Sequence, residues 1–314
     1  MKNIIRNSLY IACTLLYFTA CTENKNKDIK NNIQEIKEEN ITASSHALAP
    51  EWGISDIVGI KDGNLICKAR NAENFFYILD PTSFILKGSF GVKGNAANEW
   101  IMPHLLLPEE KGECYVIDNG TRKMHILKDY KITSKKDAPV NGLVNDAKMF
   151  AGFVCYQDIS PDRIILRIND ISKGVTNDSI VFEDPTHQGM SDKDDFAYDV
   201  RNGHLVLGKR KKDDIQIFNI SDNGKLDLQH EISGNTKDEK NYYTAVAIGN
   251  DIVYLLSQRN RDKKYSNIEV YNFDGKAIKN IKLGFEASKM AYNPDGNTLI
   301  LLDRNGGTLK TIKL

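Results

Sequence analysis

Ala287-Ser288-Lys289-Met290-Ala291-Tyr292-Asn293-Pro294-Asp295-Gly296-Asn297-Thr298-Leu299-Ile300-Leu301-Leu302-Asp303-Arg304-Asn305-Gly306-Gly307-Thr308-Leu309-Lys310-Thr311-Ile312-Lys313-Leu314 is the stretch whose reading decides the fold. Two turn signals, Pro294-Asp295-Gly296-Asn297 and Asn305-Gly306-Gly307, cut it into three short segments, 287–293, 299–303 and 308–314. The run Leu299 to Leu302 lacks polar alternation, which implies a strand covered on both faces. Three strands are therefore predicted, and the sequence ends with the third. A sheet left with an open outer edge would invite association, so a further strand is expected from elsewhere in the chain.

The same unit recurs upstream. Turns are predicted at Asp62-Gly63, Lys111-Gly112, Ser160-Pro161-Asp162, Asn202-Gly203, Gly249-Asn250 and Asp295-Gly296, spaced by 42 to 49 residues. Each is followed by a continuously apolar run such as Leu65-Ile66-Cys67, Tyr115-Val116-Ile117 or Leu205-Val206-Leu207. Third strands are expected at 75–79, 124–127, 215–220 and 268–273, and outer strands at 84–90 and 277–283. Six four-stranded units at a fixed period predict an all-β six-bladed β-propeller over residues 40–314. A β-sandwich has no reason for such a period. The missing strand of the last unit is expected from Asn40 to Leu48, which closes the ring.

The first residues follow other rules. Lys2 and Arg6 precede a short apolar run, Ser8 to Phe18, and Phe18-Thr19-Ala20-Cys21 resembles a lipobox. Residues 1–20 are read as a lipoprotein signal peptide and Cys21 as the lipidated N-terminus, since the run is too short to span a bilayer of about 30 Å. Residues 21–39, rich in Lys, Glu and Asn and without aromatics, are expected to be a flexible tether. The expected location is the cell envelope, on the outer membrane.

Ser89-Phe90-Gly91-Val92-Lys93-Gly94-Asn95-Ala96-Ala97-Asn98-Glu99-Trp100, with Pro103 after it, resembles the Gly-x-x-Gly-x-Gly-Pro-x-Glu-Phe segment of the TolB-like six-bladed propeller lipoproteins of Bacteroidetes. Ala96-Ala97 stands where that family has Gly-Pro, and Trp100 replaces Phe. The resemblance implies export, lipid anchoring and a propeller. It implies no reaction.

Lys and Arg together number 42, as do Asp and Glu, and loss of Lys2 and Arg6 leaves the remainder slightly acidic, which argues against a nucleic-acid partner. Summed by face, the charges are uneven. Loops joining second to third strands carry Arg70, Arg122, Lys123, Lys173, Lys209, Arg210, Lys211, Lys212, Arg259, Arg261, Lys263, Lys264 and Arg304, thirteen cations against eight acids. The turns on the other face are net acidic. A binding or scaffolding role is therefore expected, with the cationic face presented to an anionic glycan, lipid headgroup or protein. Trp100 and His104, beside the first blade-joining loop, are candidate contacts, with burial of Trp100 between blades the competing reading.

The alternative is a channel-mouth hydrolase, lactonase or lyase. Asp56, His104, Lys148, Asp199, Thr244 and Lys289 are expected along the inner strands, and Asp56, His104 and Asp199 form the candidate acid/base group. Two cations in that set would repel a metal, and the six histidines lack ligand spacing, so no metal or cofactor is expected. Asp192, Asp194 and Asp195 lack the Gly and distal Glu of a calcium loop and are read as a polar loop. With Cys13 removed and Cys21 lipidated, Cys67, Cys114 and Cys155 remain as small core residues. The chain is expected to be monomeric.

Overall fold

The computed structural model describes residues 38–314 except 71, 110, 160–162, 184–195, 211–213, 234–242, 259–264 and 306. Cys21, the signal segment, nearly all of the expected tether and the Asp192 to Asp195 loop lie outside the described residues. The described strands form six sheets, one per expected unit, each built on four antiparallel strands. Their inner strands are Ile54–Lys61, Pro103–Leu106, Val144–Phe150, Phe196–Arg201, Tyr243–Ile248 and Ala287–Asn293.

The apolar second strands explain the ring. Leu65 and Cys67 point into a core shared with blade six, whereas Ile66 points into one shared with blade two. Leu299 and Leu301 face blade five, and Ile300 and Leu302 face blade one. Successive side chains of a strand leave on opposite faces, and here both faces meet a neighbouring blade, so both parities are apolar. Six such clusters form, each between two adjacent blades, and the one joining blades six and one completes the circle.

Strand Ser44–Ala47 pairs antiparallel with Thr308 to Thr311 as the outer strand of blade six, and Leu48 N–H donates to the Gly307 carbonyl at 3.0 Å. The start of the domain thus closes its last sheet. A second strand was not expected. Glu38–Asn40 runs parallel to Asn280 to Lys282 on the outer edge of blade five, fixed by an ion pair of 3.1 Å between Glu39 and Lys279. Ile41 and Ala43, between the two strands, pack on the core shared by blades five and six.

Blade three corrects one turn assignment. Its inner strand ends at Phe150 and turns through Ala151 and Gly152, both with positive φ, so Ser160-Pro161-Asp162 separates the second strand, Phe153–Ile159, from the third, Arg163–Asp170. Lys173 and Asp170 therefore lie toward the face expected to be acidic, and Asp158 and Arg163 toward the other. A two-residue Ala-Gly turn carries a weaker sequence signal than Ser-Pro-Asp, and the stronger signal belongs to a different connection.

Candidate functional site: the central channel

The inner strands line a channel with two mouths. The cavity of about 240 Å³ at one mouth lies on the side of the blade-joining loops, and one of about 330 Å³ lies on the side of the first turns. Both cavities are walled by Val58, Leu105, Ala147, Lys148, Val246 and Met290, where the two adjoin. Five of these are apolar. Lys148 is the charged one of the six.

All six residues expected along the channel line it: Asp56, His104, Lys148, Thr244 and Lys289 at the loop-side mouth, Lys148 again with Asp199 at the other. Lys68, Asp146 and Arg210 join the loop-side mouth. Asp56 and Lys289 form an ion pair of 3.0 Å, each 36% exposed. Lys68 Nζ donates to the Pro103 carbonyl at 2.8 Å, bracing blade one against blade two. Burial pulls the Lys148 ammonium down, but Asp146, Asp199 and Asp56 together outweigh it and hold its pKa above the ordinary lysine value. Burial pushes the Asp199 carboxyl up against the pull of Lys148, and its Oδ2 accepts the Ile248 N–H at 2.9 Å.

His104 is occupied elsewhere. Its Nε2 lies 3.2 Å from Asn119 Nδ2, and burial, followed by the Lys68 charge, lowers its pKa to about 4. The imidazole is neutral at pH 7. Asp56, His104 and Asp199 thus each have a separate partner: Lys289, Asn119, and Lys148 with the Ile248 amide. Among the described residues no three His, Cys, Asp or Glu side chains gather as metal ligands would.

Trp100 is not available as a contact. It is 2% exposed, and its Nε1 donates to His125 Nδ1 at 3.2 Å. Phe76, Phe90 and His125 surround the ring, which fills the gap between blades one and two. The glycines of the quoted segment serve that plug. Gly91 has φ +81°, and a Cβ there would sit 2.4 Å from the indole; Gly94 has φ +153°, and its Cβ would strike the Glu99 carboxylate. That carboxylate instead folds back to accept the Ala96 N–H at 2.9 Å. The motif is a packing device, which accounts for its pattern without a ligand.

Around the loop-side rim, most described cations have a local carboxylate or carbonyl. Lys123 pairs with Asp137 at 2.7 Å, Lys209 with Asp214 at 3.4 Å and Arg304 with Glu286 at 3.7 Å. Arg122 donates to the Gly142 carbonyl at 2.6 Å, and Arg70 is exposed. Lys211, Lys212, Arg259, Arg261, Lys263 and Lys264 lie outside the described residues. The exposed pairs of Lys123 and Arg304 contribute about 0–1 kcal/mol each, so they do not lock those cations away from a partner, whereas the Lys209–Asp214 pair is largely buried.

Among structures of known proteins, the chain is similar to the β-propeller domain of Cps50 (Swd1) from Myceliophteria thermophila, with TM-score 0.54 and 11% identity over 86% of this chain and 100% of that one. It is also similar to Kuenenia stuttgartiensis hydrazine synthase, with TM-score 0.52 and 10% identity over 86% of this chain and 97% of that one. No family model matches the sequence, and no curated protein matches it. At these identities the likeness concerns the propeller fold alone.

Three features escaped the sequence reading. Asp146 lies two residues before Lys148 on one strand, so both face the axis, and Lys68 sits directly across the hairpin from Asp56. Alternation and turn position carried both signals. The third feature carried none: Glu109 Oε1 accepts the Asn202 N–H at 2.8 Å, a link from blade two to blade four that passes blade three.

Proposed function

We propose that this chain is a lipid-anchored, extracytoplasmic binding module of the TolB-like propeller lipoprotein kind, tethered through Cys21, which holds an anionic glycan or protein partner on its loop-side face. One observation carries the reading. The loop-side mouth is ringed by Lys68, Lys148, Arg210 and Lys289 against Asp56 and Asp146, while Asp56, His104 and Asp199 are each committed to a different neighbour. An acid/base pair needs its members in reach of one substrate atom, and side chains tied to separate partners supply donors and charge instead. The field of such a ring concentrates anions at the mouth, and the rim cations extend it outward.

The test uses the lipidated protein in detergent on a resin bearing a sulfated polysaccharide. Retention should weaken as salt rises, and changing Lys209, Arg210, Lys211 and Lys212 to Gln should bring elution to lower salt. Salt-independent retention, or identical elution of both proteins, removes the electrostatic reading. Cys21→Ala should move the protein from the membrane to the soluble fraction.

A further inference from the structure

The loop-side mouth has a composition more specific than a positive patch. Its Lys68, Lys148 and Lys289 ammonium groups donate only, its Asp56 and Asp146 carboxylates accept only, and the Thr244 hydroxyl does both. Donors and acceptors thus share the wall of one cavity of about 240 Å³. That arrangement matches vicinal hydroxyl groups, each of which donates one hydrogen bond and accepts others. It does not match an acyl chain or an aromatic ring, which would leave those charges desolvated without partners. Val58, Leu105, Ala147, Val246 and Met290, with Lys148, form the floor that this cavity shares with the one beyond, so the polar groups are concentrated toward the loop-side opening.

Charge narrows the class further. Lys68, Lys148, Arg210 and Lys289 outnumber Asp56 and Asp146 at this mouth, and Asp199 reaches Lys148 from the adjoining cavity, which leaves one positive charge in excess. Lys289 holds Asp56 in a half-exposed pair, the kind that opens at little cost when another anion arrives. Lys68, anchored on the Pro103 carbonyl, stands on the same wall.

We propose that the loop-side mouth of the channel binds one acidic monosaccharide unit end-on, with its carboxylate taken by Lys289 and Lys68 and its hydroxyl groups by Asp56, Asp146 and Thr244. This rests on the reading of the chain as a binding module for anionic partners and names the unit it recognises. The unit is either free or the terminus of a glycan. Uronic acids are the simplest members of the class.

Calorimetry on the intact lipidated protein in detergent tests this with glucuronate, glucose and a short oligoglucuronide. Glucuronate should bind about tenfold more tightly than glucose. The oligomer should bind with one unit per protein if termini are read, and not at all if only the free sugar fits. Asp56→Asn adds one net positive charge and frees Lys289, so the acid-over-neutral preference should rise about threefold; Lys289→Gln should lower it about threefold and Lys289→Arg restore it. A role for the pair in stability alone would move both variants in the same direction. Equal binding of glucuronate and glucose, no glucuronate heat at tens of millimolar, or unchanged preference in both variants overturns the assignment. Changing Lys209, Lys211 and Lys212 to Gln, with Arg210 kept, separates this from the broader reading: it should shorten polyanion retention and leave glucuronate binding intact. Normal polyanion retention without glucuronate binding sinks the channel site alone, and loss of both in the unaltered protein sinks both.

Discussion

His104 shows how one environment sets one side chain's chemistry. Burial and the neighbouring Lys68 charge hold the imidazole neutral down to about pH 4, against an unperturbed pKa near 6.5. The folded state therefore binds fewer protons than the unfolded chain between these values. A depressed histidine adds stability that is fully present above about pH 6.5 and is lost as pH falls toward 4, up to about 3 kcal/mol. Denaturant titrations at pH 7 and pH 4.5 should show that loss, and His104→Asn should flatten it; an unchanged slope in the variant would place the acid sensitivity elsewhere. The buried thiols follow the same logic. Burial pushes Cys67 and Cys155 far above the ordinary thiol range and Cys114 up to about 11, so all three stay protonated and unreactive in the fold.

At the scale of the element, the decisive piece is the segment that crosses two blades. Strand Ser44–Ala47 gives blade six its outer edge, and Glu38–Asn40 adds a fifth strand to blade five, so ten residues clamp the junction where the ring closes. The described chain accordingly begins along blade five and then crosses to blade six. Replacing residues 44–47 with a Gly-Ser linker should lower the melting temperature by several degrees, whereas the same change at 38–40 should cost less, because that strand is shorter and at the margin. Calorimetric scans of the two variants distinguish them, and equal shifts would deny the closing strand its role. The Gly91 to Trp100 segment belongs to this scale as well. The sequence offered burial of Trp100 between blades beside an exposed contact, and the packing decides for the plug.

At the largest scale, the described domain is a closed ring of six interfaces, each built from alternate residues of neighbouring second strands. No blade buries its apolar faces alone, so the described domain should unfold in one transition. Leu301 is fully buried between blades five and six; Leu301→Ala should cost about 2–5 kcal/mol and still leave a single transition. Two separated transitions by calorimetry would mean that the blades support themselves.

What the amino-acid order determined by itself is the repeat: apolar second strands, turn chemistry at near-regular intervals, a last unit one strand short and a matching segment near the beginning. These are local properties of strands and turns, and local pattern writes them into the chain. The third blade marks the limit, since Ala151-Gly152 and Ser160-Pro161-Asp162 are both admissible turns and only the pairing of inner strands chose between them. The channel lay further beyond reach. Its six inner-strand positions were legible from alternation, but which carboxylate meets which ammonium depends on distances across the axis between residues up to 233 positions apart, as with Asp56 and Lys289. Electrostatic partners are set by proximity in space, and closing the ring creates that proximity.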